Sequence, residues 1–177
     1  MTRANSHEAS PQILKGLAAG IVGGLVASWT MDQFQYAWIK IAKSASQTEK
    51  SNKEESNDEP ATVKAEEIVS KNVFKHELAS TEKKAAGAMV HYATGGTSGE
   101  VYGVAAEFAP RVTTGVGVAF GTAVWAVVDE SAVPLLGLSK APTKYPISTH
   151  LYALASHFIY GITTECVRRT LRKTILS

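Results

Sequence analysis

GLAAGIVGGLVASWTM, from Gly16 to Met31, contains no charged side chain. The apolar character continues to about Ile41. A membrane-crossing helix needs roughly 17–25 predominantly apolar residues, and this stretch meets that length. Its small residues fall in a pattern: Gly16, Gly20, Gly24 and Ser28 stand four apart. Residues four apart share one helix face. A stripe of small side chains on such a face lets two helix backbones approach closely in lipid, where no hydrophobic force drives them together. This segment therefore reads as a membrane helix with a packing face.

Three more stretches follow the same logic. Ala85 to Phe108 ends before Pro110, Val112 to Val128 follows, and a fourth starts after Pro146 and ends near Val167. Prolines at 110, 134, 142 and 146 fall between them, where they can end helices. Tyr36, Trp38, Trp125 and Tyr145 lie towards span ends, as interfacial aromatics do. The charges are unevenly placed: nine of the sixteen acids and eight of the eighteen bases lie between Lys43 and Lys84. The remaining 135 residues are sparsely charged for a soluble domain, in which about a quarter of residues carry charge. Cys166 is the sole cysteine, which rules out an intrachain disulfide framework. A net charge of +2 gives no reason to expect nucleic-acid binding.

The expected fold is an all-α integral membrane protein of four transmembrane helices, built as a duplicated helical hairpin. Residues 1–12 are expected to be disordered, 13–42 to form the first transmembrane helix, and 43–84 a polar charged loop with a surface helix in its second half. Residues 85–177 hold three further transmembrane helices and a basic tail. A soluble bundle of unusually apolar helices is the alternative. A cleavable secretory signal at the N-terminus is disfavoured, because the first span has a counterpart later in the chain.

That counterpart is the evidence for duplication. Gly20, Gly24 and Asp32 recur at the same spacing as Gly117, Gly121 and Asp129. Tyr102-Gly103 followed by Glu107 recurs as Tyr160-Gly161 followed by Glu165. Gly87, His91, Gly95, Gly99, Gly103 and Glu107 form a second stripe at four-residue spacing.

Ionisable groups within spans are costly, at about 2.5–3.5 kcal/mol for a central charge on insertion scales, so each needs a partner or a wet cavity. Glu107 has Arg111 four residues on, and Glu165 has Arg168 and Arg169 at three and four. These read as same-helix structural pairs. Asp32 and Asp129 have no base within four positions and fall on the side of the bundle where His91 and His150 begin their spans. Convergence of these four residues would suit a divalent metal or proton transfer, although no compact zinc-helix motif is present. Glu100 and His157 lie near mid-span at similar depth, and each is the simplest partner for the other. His150 and His157 share a helix face, but haem is disfavoured without a C-x-x-C-H motif. No cofactor is expected on this reading.

Tyr102-Gly103, Glu107, Pro110, Gly117, Gly121, Asp129-Glu130, Pro134, Gly137-Leu138, Pro142, Pro146, His150, His157, Tyr160-Gly161, Glu165 and Arg168-Arg169 together resemble the YagU-like family of small bacterial inner-membrane proteins. The resemblance covers roughly Gly87 to Lys173. It implies a multi-pass protein of the bacterial cytoplasmic membrane and carries over no catalytic role. The dense basic tail Arg168-Arg169-Thr170-Leu171-Arg172-Lys173 favours both termini on the cytoplasmic side.

Two functional classes follow. One is a small transport or proton-relay protein using Glu100, His157, Asp32, Asp129, His91 and His150. The other is a non-catalytic membrane subunit or scaffold. A metal-binding membrane protein, with His91, His150, Asp32 and Asp129 as ligands, is the weaker third. An enzyme is disfavoured. The expected partners are the lipid bilayer and either a second copy or a membrane-complex subunit.

Overall fold

A computed structural model describes residues 5–49 and 80–174. The described residues are helices and short turns, with no strand among them. Four helices carry the fold: α1 (Asn5–Glu49), α2 (Ser80–Phe108), α3 (Val118–Leu135) and α4 (Ile147–Thr174). Within them, Pro11–Ile41 and Val118–Leu135 are long and apolar enough to cross a membrane on composition alone. At 1.5 Å per residue they extend about 46 Å and about 27 Å.

Several boundaries differ from those expected. The first helix is longer than 13–42, taking in residues 5–12 and continuing to Glu49. The long polar segment contributes residues 80–84 to the start of α2. The surface helix expected in its second half lies outside the described residues, apart from that start. The third helix is displaced from 112–128 to Val118–Leu135. The cause is local. A short 3-10 turn occupies Pro110–Thr113, and Gly115, Val116 and Gly117 all have positive φ. Three successive left-handed residues cannot belong to a right-handed helix, so α3 starts only after them. Its other end closes on Gly137 at φ 72°. Gly137 N donates to Pro134 O and Leu138 N to Val133 O, at 3.0 Å each. That pair of bonds is the Schellman closure of a helix C-terminus.

The helices are held by backbone contact. A methyl group added at Gly20 or Gly24 would collide with the backbone of Gly99 or Gly95, and one at Gly103 with Gly16 and Gly20. Residue numbers rise on α1 as they fall on α2, so the two run antiparallel. The same construction recurs in the other hairpin: Gly117 lies against the Gly161 backbone and Gly121 against that of His157. Gly23 meets the backbone of Thr164, which joins α1 to α4. Stacked rings close the remaining side, with Tyr102 on α2 and Phe120 on α3 at 4.2 Å between centroids.

The two hairpins are not superposable in both sequence patterns at once. Gly99 packs between Gly20 and Gly24 as Gly161 packs between Gly117 and Gly121. The matching Tyr-Gly pairs, at 102–103 and 160–161, would have put Gly103 in that place. α4 is therefore slipped by one turn relative to the register those pairs suggest.

Polar groups share the interior with apolar ones: Ser28, Ser156, Thr164 and Glu165 have no exposed surface, whereas the large apolar side chains of Leu135, Ile147, Met89 and Phe108 are exposed. The apolar interior is small, centred on Ala27, Met31 and Tyr160 with Phe120 and Val124 against them.

Because backbone atoms rather than flexible side chains meet the α1–α2 stripe, Gly99→Leu is expected to separate these helices. Its cost should exceed the roughly 1–3 kcal/mol of ordinary overpacking. Ala93→Leu, on the exposed face of the same helix, is the control. Size-exclusion profile and melting temperature in detergent measure both; equal behaviour of the two variants would refute the packing account.

Candidate functional site

Carboxylates and imidazoles from all four helices gather towards one end of the bundle: Asp32, His91, Asp129, Glu130, His150 and His157. Asp32 on α1 is gripped by two consecutive residues of α2. Tyr92 Oη donates to Oδ2 at 2.9 Å, and His91 Nε2 lies 3.2 Å from Oδ1. The same His91 nitrogen is 3.5 Å from the Ser28 carbonyl. The α1–α2 glycine contact sets this geometry, since Gly24 against Gly95 brings the next turns of each helix together.

Asp129 and Glu130 stand in an unusual stretch. From Trp125 to Ala132, α3 winds as a π-helix. The Ser131 hydroxyl donates to Ala126 O, five residues back, at 2.8 Å. A π segment turns less per residue than an α-helix, and such segments occur frequently at functional sites. Here the wider turn lets two adjacent carboxylates both reach α4. Asp129 Oδ2 is 3.7 Å from His157 Nδ1, and Glu130 Oε1 is 2.7 Å from His150 Nδ1.

His157 is buried. Its Nδ1 lies 2.9 Å from the Ala153 carbonyl. A carbonyl can only accept, so Nδ1 carries the proton and Nε2 is left as the acceptor in the neutral ring. At 3.7 Å the Asp129 contact is electrostatic rather than a direct hydrogen bond. Three groups of acids and bases result: Tyr92–Asp32–His91 between α1 and α2, and Asp129–His157 and Glu130–His150 between α3 and α4.

This arrangement differs in detail from the expected one. Glu100 does not meet His157: it is half-buried on α2 and makes no hydrogen bond or ion pair among the described residues. His157 goes to Asp129 instead, because the one-turn slip of α4 raises it to the level of Gly95. His150 answers Glu130, not Asp129. Among the described residues no three His, Cys, Asp or Glu side chains form a group fit to hold a metal ion. Asp32, His91, Asp129 and His150 are shared between separate pairs instead.

The opposite end holds an arginine network. Glu165 is fully buried and takes Arg168 in a two-pronged bond, Nε to Oε2 at 2.7 Å and Nη2 to Oε1 at 3.0 Å. Arg169 Nε also donates to Glu165, and its Nη2 reaches the Thr113 carbonyl at 3.0 Å. The expected pairs of Glu165 with Arg168 and Arg169 are present. Glu107 is different. It is bound by Arg172 of α4 through Nε at 2.8 Å and Nη2 at 2.9 Å, with Arg168 at 3.9 Å. Arg111, its expected partner, is exposed and makes no ion pair among the described residues. The 3-10 turn at Pro110–Thr113 is the reason: α2 ends at Phe108, so Arg111 does not sit one helical turn above Glu107. Arg172 also donates to Gln12 Oε1 at 2.7 Å, which ties the start of α1 into the network.

Four contributors escaped the sequence reading: Glu130, Tyr92, Gln12 and Arg172. Arg172 had a usable signal, one turn beyond Arg168 on the same face. Glu130 had none, because its direction follows from the π-helix.

Compared with known proteins, residues 40–166 match the family described as "Protein of unknown function (DUF1440)". The chain belongs to that family. The match contains His91, Asp129, Glu130, His150, His157 and Glu165, while Asp32 precedes it. No curated protein and no solved structure matches.

Removing one partner of a buried ion pair costs about 3–5 kcal/mol, because the other charge is left uncompensated. Glu165→Ala is expected to lose about that much stability. Arg172→Ala should lower the melting temperature clearly and Arg111→Ala should leave it unchanged. A larger effect from Arg111→Ala would restore the same-helix pairing.

Proposed function

We propose that this member of an uncharacterised family is a four-span membrane protein that moves protons, alone or coupled to a solute, through its alternating carboxylates and imidazoles. The single observation that carries the reading is the pair of acid–imidazole contacts Asp32–His91 and Asp129–His157, to which each helix contributes one group. Structural anchoring alone is already supplied by the glycine stripes and the arginine network. A second set of costly ionisable groups needs another reason to be there. Histidine is suited to accept and release a proton near neutral pH, and carboxylates placed between imidazoles give it somewhere to go.

The membrane setting has its own support. Large apolar side chains such as Trp29, Met89, Val101 and Leu151 point out while Ser28, Ser156 and Thr164 point in, as suits a bundle with lipid as its solvent. All four helices then cross the bilayer, with the ionisable groups of α2 and α4 turned inward. The resemblance to the YagU-like family supports the bacterial cytoplasmic membrane. The basic tail on α4 supports termini on the cytoplasmic face.

A scaffold or subunit role is favoured by Glu100 alone. A half-buried carboxyl without a partner among the described residues suits a contact with another membrane helix. In that case the partner, not the relay, gives the protein its purpose.

Reconstitution into vesicles containing a pH-sensitive dye tests the reading. An imposed pH gradient should collapse faster with the wild-type protein than in protein-free vesicles. Asp129→Asn and His157→Gln should fall to the protein-free rate while keeping wild-type melting temperatures. Wild-type vesicles that hold the gradient as long as empty ones would remove the relay reading. Glu100→Gln is then tested for loss of co-purifying membrane proteins.

A further inference from the structure

His150 occupies a position with a chemical consequence. Nδ1 lies 2.7 Å from Glu130 Oε1, and Nε2 lies 3.1 Å from the Pro142 carbonyl. A carbonyl only accepts, and an ionised carboxylate only accepts. Both ring nitrogens must then donate, so the ring is an imidazolium. One proton is held between α3, α4 and the Pro142–Lys144 turn. The groups that act on this pair from neighbouring elements are few. Asp129 lies beside Glu130 on α3 and interacts with it electrostatically, and Asp129 in turn interacts with His157 of α4 and His91 of α2.

The carboxylate that holds this proton also lines a groove. Glu130, Ser131, Pro134, Leu135, Ala141 and Pro142 line a shallow, open groove of about 460 Å³ at the surface of the bundle. The lining is mostly apolar, and Glu130 is the one charged side chain in it. Such a wall fits a ligand with a hydrophobic body and a single positive charge.

We propose that this groove binds a hydrophobic monovalent cation in exchange for the His150 proton. It rests on the proton-handling reading above and names the class of solute. The exchange balances. When the imidazolium gives its Nδ1 proton to water, neutral His150 keeps its Nε2 bond to Pro142. Glu130 is left as an uncompensated carboxylate, and the cation takes the place of the lost charge. One positive charge enters as one leaves, so the site's net charge does not change. Proton and cation compete for the same carboxylate, and that competition is what couples their movements.

Equilibrium dialysis of the purified full chain in mild detergent, with labelled tetraphenylphosphonium as the probe, tests the exchange. Rising pH removes the competing proton, so affinity should increase between about pH 6 and about pH 9, at most roughly tenfold per pH unit for a single exchanged proton. Dye-monitored proton release should approach one per cation bound. Glu130→Gln should lose the pH-dependent binding. His150→Gln, at an unchanged melting temperature, should bind more tightly than wild type at the acid end and no longer vary with pH, which decides the matter if Glu130→Gln does not fold. Triphenylphosphine oxide, an uncharged molecule of similar aromatic bulk, should not displace the probe. Binding that ignores pH, survives Glu130→Gln, fails to rise in His150→Gln, or yields to triphenylphosphine oxide would overturn the proposal. Dialysis measures no flux, so these outcomes stand apart from the vesicle result for Asp129 and His157.

Discussion

Contact between helix backbones is the constraint on which the rest of this structure depends. Where Gly16, Gly20 and Gly24 face Gly103, Gly99 and Gly95, there is no room for a side chain between α1 and α2. Contact that close allows no adjustment by rotamer. It fixes the register of the two helices to within a fraction of a turn, and the register then decides which polar groups meet. Asp32 finds His91 and Tyr92 because Gly24 has found Gly95. The same holds in the second hairpin, where Gly117, at φ 85°, caps α3 and lies against Gly161. A β-carbon at that position would be strained as well as obstructed.

The two ends of the bundle use the resulting geometry differently. At one end, arginines saturate two carboxylates through short, forked bonds, and Glu165 is closed off from solvent altogether. Guanidinium groups do not release protons under ordinary conditions, so this end is an anchor. At the other end the bases are histidines, and the contacts range from 2.7 Å to 3.7 Å. Looser pairing with titratable partners is what a group that must change its protonation state requires. On the proposed reading the two ionic clusters divide the work: one holds the helices and the other handles protons.

The π-helix is what joins this second cluster to the groove. An α-helical α3 would separate the directions of Asp129 and Glu130 by about 100°, the step set by 3.6 residues per turn. The wider winding narrows that step and lets neighbouring carboxylates address different histidines of one helix. His150 and His157 are two turns apart on α4, so a single stretch of α3 spans both.

The sequence by itself determined the helical class and the glycine faces that pack, because apolar length and four-residue spacing are local properties of the chain. It also set Glu165 beside Arg168 and Arg169, which lie one turn away on the same helix. Tertiary structure alone decided the pairings that cross between helices. Glu107 went to Arg172 because a 3-10 turn carried Arg111 away. His157 went to Asp129, not Glu100, because α4 is slipped by a turn. Glu130 was drawn to His150 by a winding that no residue pattern announces. Each of these outcomes depends on the axial offset between helices, and a shift of one turn, about 5.4 Å, is enough to exchange every partner while leaving the sequence pattern of each helix intact.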